Sequence, residues 1–289
     1  MSAVRAAESL IGPGRAVVGA SALVWVEGPD AEGFLQGLLT ADVAALGPGG
    51  DAYSLVLDNR GRIQGDMRVH RDGQDAFTLV LEPGQGEAIA EILHRYHFSE
   101  DLEIIGPEPF ALLSAAAGAA VPEGAADLVL PGRVPGTVDL VTGDAEALLA
   151  AAGLAVVPAE ALETLRVESG VPRFGVDMGT STLVQEAGLE NVAVSFEKGC
   201  YLGQETVARA QHRGRVNRRL RGLLLPAPAA AGAEVHHQGR AAGRLTSVAA
   251  SPAHGPIGLA TLRREVPPGG EVGVEGLDGT ARVVELPFG

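Results

Sequence analysis

Apolar and polar or small residues interleave from 16 to 27 before the turn Gly28-Pro29-Asp30, a pattern that predicts two short strands. Beyond the turn the spacing becomes helical. Phe34, Leu35, Leu38 and Leu39 share one face of a helix that Asp30 is placed to cap. Asp42 is placed to start a further short helical turn, and Gly47-Pro48-Gly49-Gly50 breaks the pattern. Segments 53–57, 63–69 and 77–81 read as strands, separated by turn chemistry at Asn59-Arg60-Gly61-Arg62 and Asp72-Gly73-Gln74. A helix over 87–96 and a strand over 102–105 complete a small α+β layer. From 110 to 142 short apolar runs are broken by prolines and glycines; helices follow over 144–152 and from Pro158 toward Glu168. The stretch 170–197 has little periodicity, and an aperiodic segment of that length inside a compact chain is often part of a site. After Arg215, strands over 220–225, 243–249, 257–262, 271–274 and 281–286 alternate with glycine and proline turns, which predicts a closed or nearly closed β unit.

Length and composition set limits on this picture. The 289 residues leave room for two or three compact units, and 46% apolar with 20% charged residues is the balance of an ordinary globular protein. Residues 1–14 lack a basic head followed by an apolar run, and the apolar stretch over 110–121 is too short to span a bilayer, so neither a secretory leader nor membrane attachment is expected. A single cysteine excludes an internal disulfide, which suits a reducing cytoplasm. The formal charge of −14 argues against stable nucleic-acid binding, because affinity for phosphate backbones comes from clustered Lys and Arg. That charge is uneven. Between 198 and 221 stand Lys198, Arg209, Arg213, Arg215, Arg218, Arg219 and Arg221 against one acid, Glu205. Such an island suits a local anionic ligand or partner; the alternative is a solvated strand whose arginines pair with acids elsewhere. His94 and His97 share a helical face, but nothing in the sequence completes a ligand set around them, so no metal site is expected.

The candidate chemistry centres on Lys198-Gly199-Cys200-Tyr201-Leu202-Gly203-Gln204-Glu205. Gly199 and Gly203 permit turns or close backbone approaches that a side chain forbids. Cys200 precedes a segment, 202–211, of helix-compatible composition, and Lys198 lies two residues before it; both features favour thiolate over thiol. The competing reading of a lone cysteine is a small buried apolar residue. This octet resembles the signature of the YgfZ family of folate-binding proteins, relatives of the T-protein (aminomethyltransferase) of the glycine cleavage system. Phe34-Leu35-Gln36-Gly37-Leu38-Leu39-Thr40 with Asp42-Val43, Asn59-Arg60-Gly61-Arg62, Arg166-Val167-Glu168-Ser169-Gly170-Val171-Pro172 and Gly214-Arg215-Val216-Asn217-Arg218-Arg219-Leu220 resemble further family segments, in the same order.

The resemblance implies an α+β fold of three-domain T-protein-like arrangement around a central folate cavity: a discontinuous domain over 1–45 and 107–214 that carries the Lys-Gly-Cys-Tyr motif, a ferredoxin-like domain over 46–106, and a C-terminal β-barrel over 215–289. It implies tetrahydrofolate as cofactor. Glu168 matches the pterin-binding glutamate of the relatives, where a carboxylate accepts two parallel hydrogen bonds; its other reading is an ion pair with Arg166 or Arg173. Arg215 and Arg219 are candidates for the glutamate tail. Gln204 and Glu205 either hold the Cys200 loop or face the cavity, and Tyr201 either stacks on the ligand or is buried. Catalytic candidates are Cys200, Lys198 and Asp66. The transferases carry two adjacent aspartates where this chain has Gly65-Asp66, so aminomethyl transfer is in doubt, and Asp66 is otherwise read as an exposed strand acid. The function implied is that of a folate-dependent accessory protein serving iron–sulfur proteins or assembly factors, and through them tRNA modification, with Cys200 as reactive thiol or transient cluster ligand. The alternatives are an aminomethyltransferase working with a lipoyl-bearing partner and a folate-storing protein without chemistry.

Overall fold

The computed structural model describes Ala6, residues 9–213 and residues 216–289. The fold is α+β. One sheet has the strand order β2 (Asp51–Leu57), β3 (Ile63–Arg71), β4 (Ala76–Leu81), β1 (Arg15–Glu27), β5 (Glu103–Ala116), β7 (Thr137–Thr142), β6 (Leu128–Pro131), with β8 (Ala155–Val156) parallel to the start of β1. Helix α1 (Ala31–Leu38) buries Phe34, Leu35 and Leu38, and α2 (Gly86–Tyr96) buries Ile89, Ala90 and Leu93; both pack on a core that includes Val24, Val26, Phe77 and Leu79. Helices α3 (Ala145–Ala152), α4 (Ala159–Ser169), α5 (Val184–Ala187) and α6 (Gln204–Arg213) follow.

The two short strands expected over 16–27 form a single thirteen-residue strand, β1, which pairs with β4 along its second half and with β5 along nearly its whole length. The strand expected over 102–105 likewise continues as β5, with a register shift against β1 between Leu23 and Trp25. These two long strands join what the sequence read as separate layers. Asp30 places no side chain on the helix N-terminus; its carboxylate accepts the amide of Asp101 (2.7 Å) and so fixes the chain entering β5. Asp42 starts no helix and accepts from Gln36 Nε2 (2.9 Å).

The C-terminal strands close into a barrel in the order β10 (Glu234–His237), β11 (Arg240–Ser251), β12 (Gly255–Arg263), β9 (Arg218–Leu224), β14 (Thr280–Val284), β13 (Glu271–Val274), with β13 returning to β10. Leu223, Val235, Leu245, Leu262, Val272 and Val283 fill it. A buried ion pair ties the barrel to the sheet-bearing part: Arg166 of α4 meets Asp177 (2.7 Å), and Asp177 accepts from Thr246 (2.6 Å) and Ser247 (2.7 Å) of β11. No helix among the described residues is long and apolar enough to cross a membrane.

Candidate functional site

Where β2, the end of α4, the segment 185–192 and the barrel strand β9 meet, they leave a cavity of about 790 Å³. That volume lies within the ~300–1,000 Å³ usual for small-molecule sites. The sheet side contributes Asp51, Tyr53, Arg68 and Arg133, the chain after α4 contributes Ser169 to Pro172, and the barrel side contributes Arg219, Arg221 and the 285–287 tail. Arg219 and Arg221 are two apart on one strand, so both face this hollow while Leu220 between them is buried. Arg221 pairs with Glu285 (2.9 Å). Glu190, only 8% exposed, meets Arg219 through Oε1 at 3.4 Å, and its Oε2 has no hydrogen-bond partner among the described residues.

Of the residues singled out in the sequence, Arg219 lines the cavity. Arg215 lies outside the described residues. Glu168 stands one residue before the wall at 9% exposure; Arg166 and Arg173 pair with Glu163, Asp177 and Glu82 and leave Glu168 aside, so the ion-pair reading does not hold.

Asp66 departs from the exposed strand acid expected of it: it is 2% exposed, behind Tyr53 and Arg133 as seen from the cavity, and borders a second hollow of about 50 Å³. Its carboxylate accepts from Tyr53 (2.7 Å) and Gln85 (2.9 Å) and pairs with Arg133 (2.9 Å). Arg133 also pairs with Glu82 (2.7 Å), donates to the Pro172 carbonyl and lies over the Tyr53 ring at 4.7 Å. Burial alone pulls the Arg133 guanidinium toward neutrality, but Tyr53, Asp66 and Glu82 outweigh it and hold it firmly charged; burial drives the Tyr53 phenol well above its ordinary pKa. Gly65 is packed under α2. A Cβ there would overlap Ile89 Cδ1 and stand 3.0 Å from Gln85 Oε1, so the fold has no room for a second acid beside Asp66.

The cysteine motif forms a different surface. Cys200 is exposed and does not line the cavity, so the single hollow shared by thiol, glutamate and arginines that the sequence suggested is two places. Three of the segments quoted above converge beneath it. The Leu202 amide donates to Gly37 (3.1 Å), Ser195 to the Thr40 carbonyl (2.9 Å), and Lys198 Nζ to Leu39 (2.8 Å) and Ala41 (2.6 Å). Lys198 is therefore turned inward under the loop, and burial lowers its pKa to about 8. Helix α6 starts at Gln204, four residues beyond Cys200, and Gln204 donates back to the Gly199 carbonyl (3.4 Å), so it holds the loop. Glu205 is exposed and away from the cavity lining. Tyr201, 6% exposed, is packed with Leu55, Ile63 and Val207 rather than against a ligand, and burial raises its phenol to about 12. Gly203 makes the close approach expected of it, Gly199 does not: around Gly199 the space is open. Among the described residues no group of three or more His, Cys, Asp or Glu is arranged to hold a metal ion.

Sequence reading passed over Tyr53, Arg133 and Glu190. Glu190 lay within the aperiodic stretch that pointed to a site, whereas Arg133 lay in a turn whose neighbours carry no motif.

Comparison with known proteins gives matches along most of the chain. The GCVT N-terminal domain model matches residues 18–116, and the glycine cleavage T-protein C-terminal barrel domain model matches residues 218–288. The aminomethyltransferase of Rubrobacter xylanophilus is 32% identical over 295 residues, spanning 90% of this chain and 79% of that protein. The tRNA-modifying protein YgfZ of Edwardsiella ictaluri is 31% identical over 67% of this chain and just under two thirds, 65%, of its own length. The mitochondrial iron–sulfur cluster assembly factor IBA57 of Mus musculus is 30% identical over 84% of this chain and 76% of its own. The crystal structure of glycine cleavage system aminomethyltransferase T from Bartonella henselae superposes with a TM-score of 0.82 at 25% identity, covering 99% of this chain and 89% of that one.

Proposed function

Because the chain belongs to the glycine cleavage T-protein family together with its YgfZ relatives, we propose that the central cavity binds a reduced folate, tetrahydrofolate, and that the protein is a cytoplasmic accessory factor for iron–sulfur proteins rather than a transferase. The cavity fits such a ligand in size and chemistry. Guanidinium groups of Arg219 and Arg221 at the barrel side suit the carboxylates of a glutamate tail, with Arg215 as a further candidate; carboxylates on the opposite character of wall, Glu190 and the adjoining Glu168, suit a heterocycle rich in N–H donors. When bound, the folate would supply a one-carbon carrier or a reductant.

The observation that carries the choice of accessory factor over transferase is the state of Asp66. A carboxylate already satisfied by Tyr53, Gln85 and Arg133, with no space for an acid at Gly65, is poorly disposed to exchange protons with a substrate in the cavity. The exposed thiol of Cys200 stands apart on a loop anchored from three sides, accessible to a partner protein. A single thiolate holds an iron–sulfur cluster only with ligands from that partner, the cluster being cargo. Effects on tRNA modification would follow through the iron–sulfur enzymes served. In a deletion strain, wild type should restore iron–sulfur enzyme activity and Cys200→Ala should restore little; equal rescue by the alanine variant removes the thiol from the function. Calorimetry with tetrahydrofolate tests the cavity directly, and Arg219→Ala should weaken binding about tenfold, the effect of a lost charge-assisted hydrogen bond worth ~1.5 kcal/mol.

The similarity to the Rubrobacter aminomethyltransferase over nine tenths of this chain supports a second reading, aminomethyl transfer with a lipoyl-bearing partner. It predicts methylene-tetrahydrofolate formation in a reconstituted glycine cleavage assay, abolished by Asp66→Asn; no turnover in an otherwise active system dismisses it.

A further inference from the structure

Most buried carboxylates in this chain are matched. Asp66, Asp139, Glu163 and Asp177 each accept from two or more groups. Glu190 is the exception on the cavity wall: it is as buried as they are, its Oε1 has a 3.4 Å contact with a half-exposed arginine, and Oε2 is shut off from water without a partner. An acceptor left in that state costs free energy that a donor from a ligand recovers. On the cavity's other wall the unpartnered groups have the opposite character. The Nε–H groups of Arg68 and Arg133, both on cavity-lining residues, also lack partners. The hollow is thus polarised, with an unmatched acceptor at the 185–192 side and unmatched donors at the sheet side.

We propose that Glu190 is the residue that selects the ligand, accepting paired N–H donors from an aminopyrimidine-like edge, with Arg219 as the counter-charge that occupies Oε1 when no ligand is present, and with the oxygen-bearing side of the same ring turned toward Arg68 and Arg133. This rests on reading the cavity as the folate site, and it assigns the donor edge to Glu190 instead of Glu168. The two carboxylates differ in that Glu190 lines the cavity, whereas Glu168 stands behind its wall. A carboxylate engaged this way distinguishes a ring with an amino group from one without it by the hydrogen bond lost and by the acceptor left buried and unmatched.

The experiment is calorimetric titration of the full chain with tetrahydrofolate and with its 2-desamino analogue, on wild type, Glu190→Gln and Glu168→Gln, with thermal melts to establish that each variant is folded. Wild type should bind tetrahydrofolate at least tenfold more tightly than the analogue. Glu190→Gln should bind tetrahydrofolate at least tenfold more weakly than wild type and treat the two ligands alike, while Glu168→Gln keeps the preference. A preference kept by Glu190→Gln, or lost only in Glu168→Gln, overturns the assignment and leaves the folate reading standing. No binding of tetrahydrofolate by folded wild type sinks the folate reading itself, and this inference with it. A merely structural role for Glu190 would weaken both ligands equally, so the selectivity between them separates the two.

Discussion

Lys198 takes an ammonium into a place that water barely reaches, under a loop whose only other unusual feature is an exposed thiol. Burial is the first cause of its pKa falling from the ordinary 10.5 to about 8, with Asp42 opposing weakly. Below pH 8 both the folded and unfolded chains hold the proton, and the stability contribution is constant. Between pH 8 and 10.5 the unfolded chain still holds it while the folded chain has released it, so this group makes stability rise with pH there. The urea midpoint of wild type should therefore move up relative to Lys198→Met on going from pH 7 to 9.5. A gap that narrows would mean that the charged amine is favoured in place. Composition marked this octet, yet it said nothing of direction: Lys198 and Tyr201 point into the protein, Cys200 points out, and no periodicity of a loop reveals which. Glu168 and Glu190 pose the same difficulty, since only the packing of the barrel against α4 decides which acid meets the cavity.

At the scale of elements, the hairpin turn between β2 and β3 and the turn leading into α6 are locked together by their glycines. Gly203 has φ +82°, and a Cβ there would stand 2.5 Å from the Asp58 carbonyl oxygen; Gly61 has φ +73°, and its Cβ would stand 2.8 Å from Thr206 Cβ. Gly199, four residues before Gly203, meets nothing. Gly203→Ala should lower stability by ~2 kcal/mol or more, combining left-handed strain of ~1–3 kcal/mol with the backbone clash. Gly199→Ala should stay within ~0.5 kcal/mol, as surface substitutions do. Urea denaturation of the two variants checks the contrast, and equal losses would refute this account of the turn. The sequence showed both glycines and both turns; it did not show that they touch. Strands were legible where apolar alternation was strong, as in β3, β4 and β12. They were misread where small residues blur it: Val17, Val18, Gly19, Ala20, Ser21 and Ala22 carry no clear inside and outside, so β1 looked like two pieces. β10, with its adjacent histidines, was missed for the same reason of length and polarity.

For the molecule as a whole, the cavity exists only while the barrel stays docked, because the walls come from β2, the end of α4 and β9 at once. The docking depends on polar groups that no sequence pattern pairs: Arg166 on α4, Asp177 eleven residues later, and Thr246 and Ser247 on β11. Arg166 also donates to Ser247 (2.6 Å) and to the Val171 carbonyl (2.6 Å), which fixes the segment 169–172 that walls the cavity. Asp177→Asn would leave the Arg166 charge buried without its counter-ion, and breaking one side of such a pair costs ~3–5 kcal/mol. The loss should appear as a lower denaturation midpoint. Tetrahydrofolate affinity should fall together with it, because the residues that move are the cavity wall. Charge removal on both sides, Arg166→Met with Asp177→Leu, should recover much of the stability, since apolar replacements of a buried pair are often neutral, but should not recover affinity, since the Val171 carbonyl loses its donor. If the double variant regains stability and affinity together, the ion pair is only a fastening of the barrel; if stability alone returns, it also sets the shape of the site.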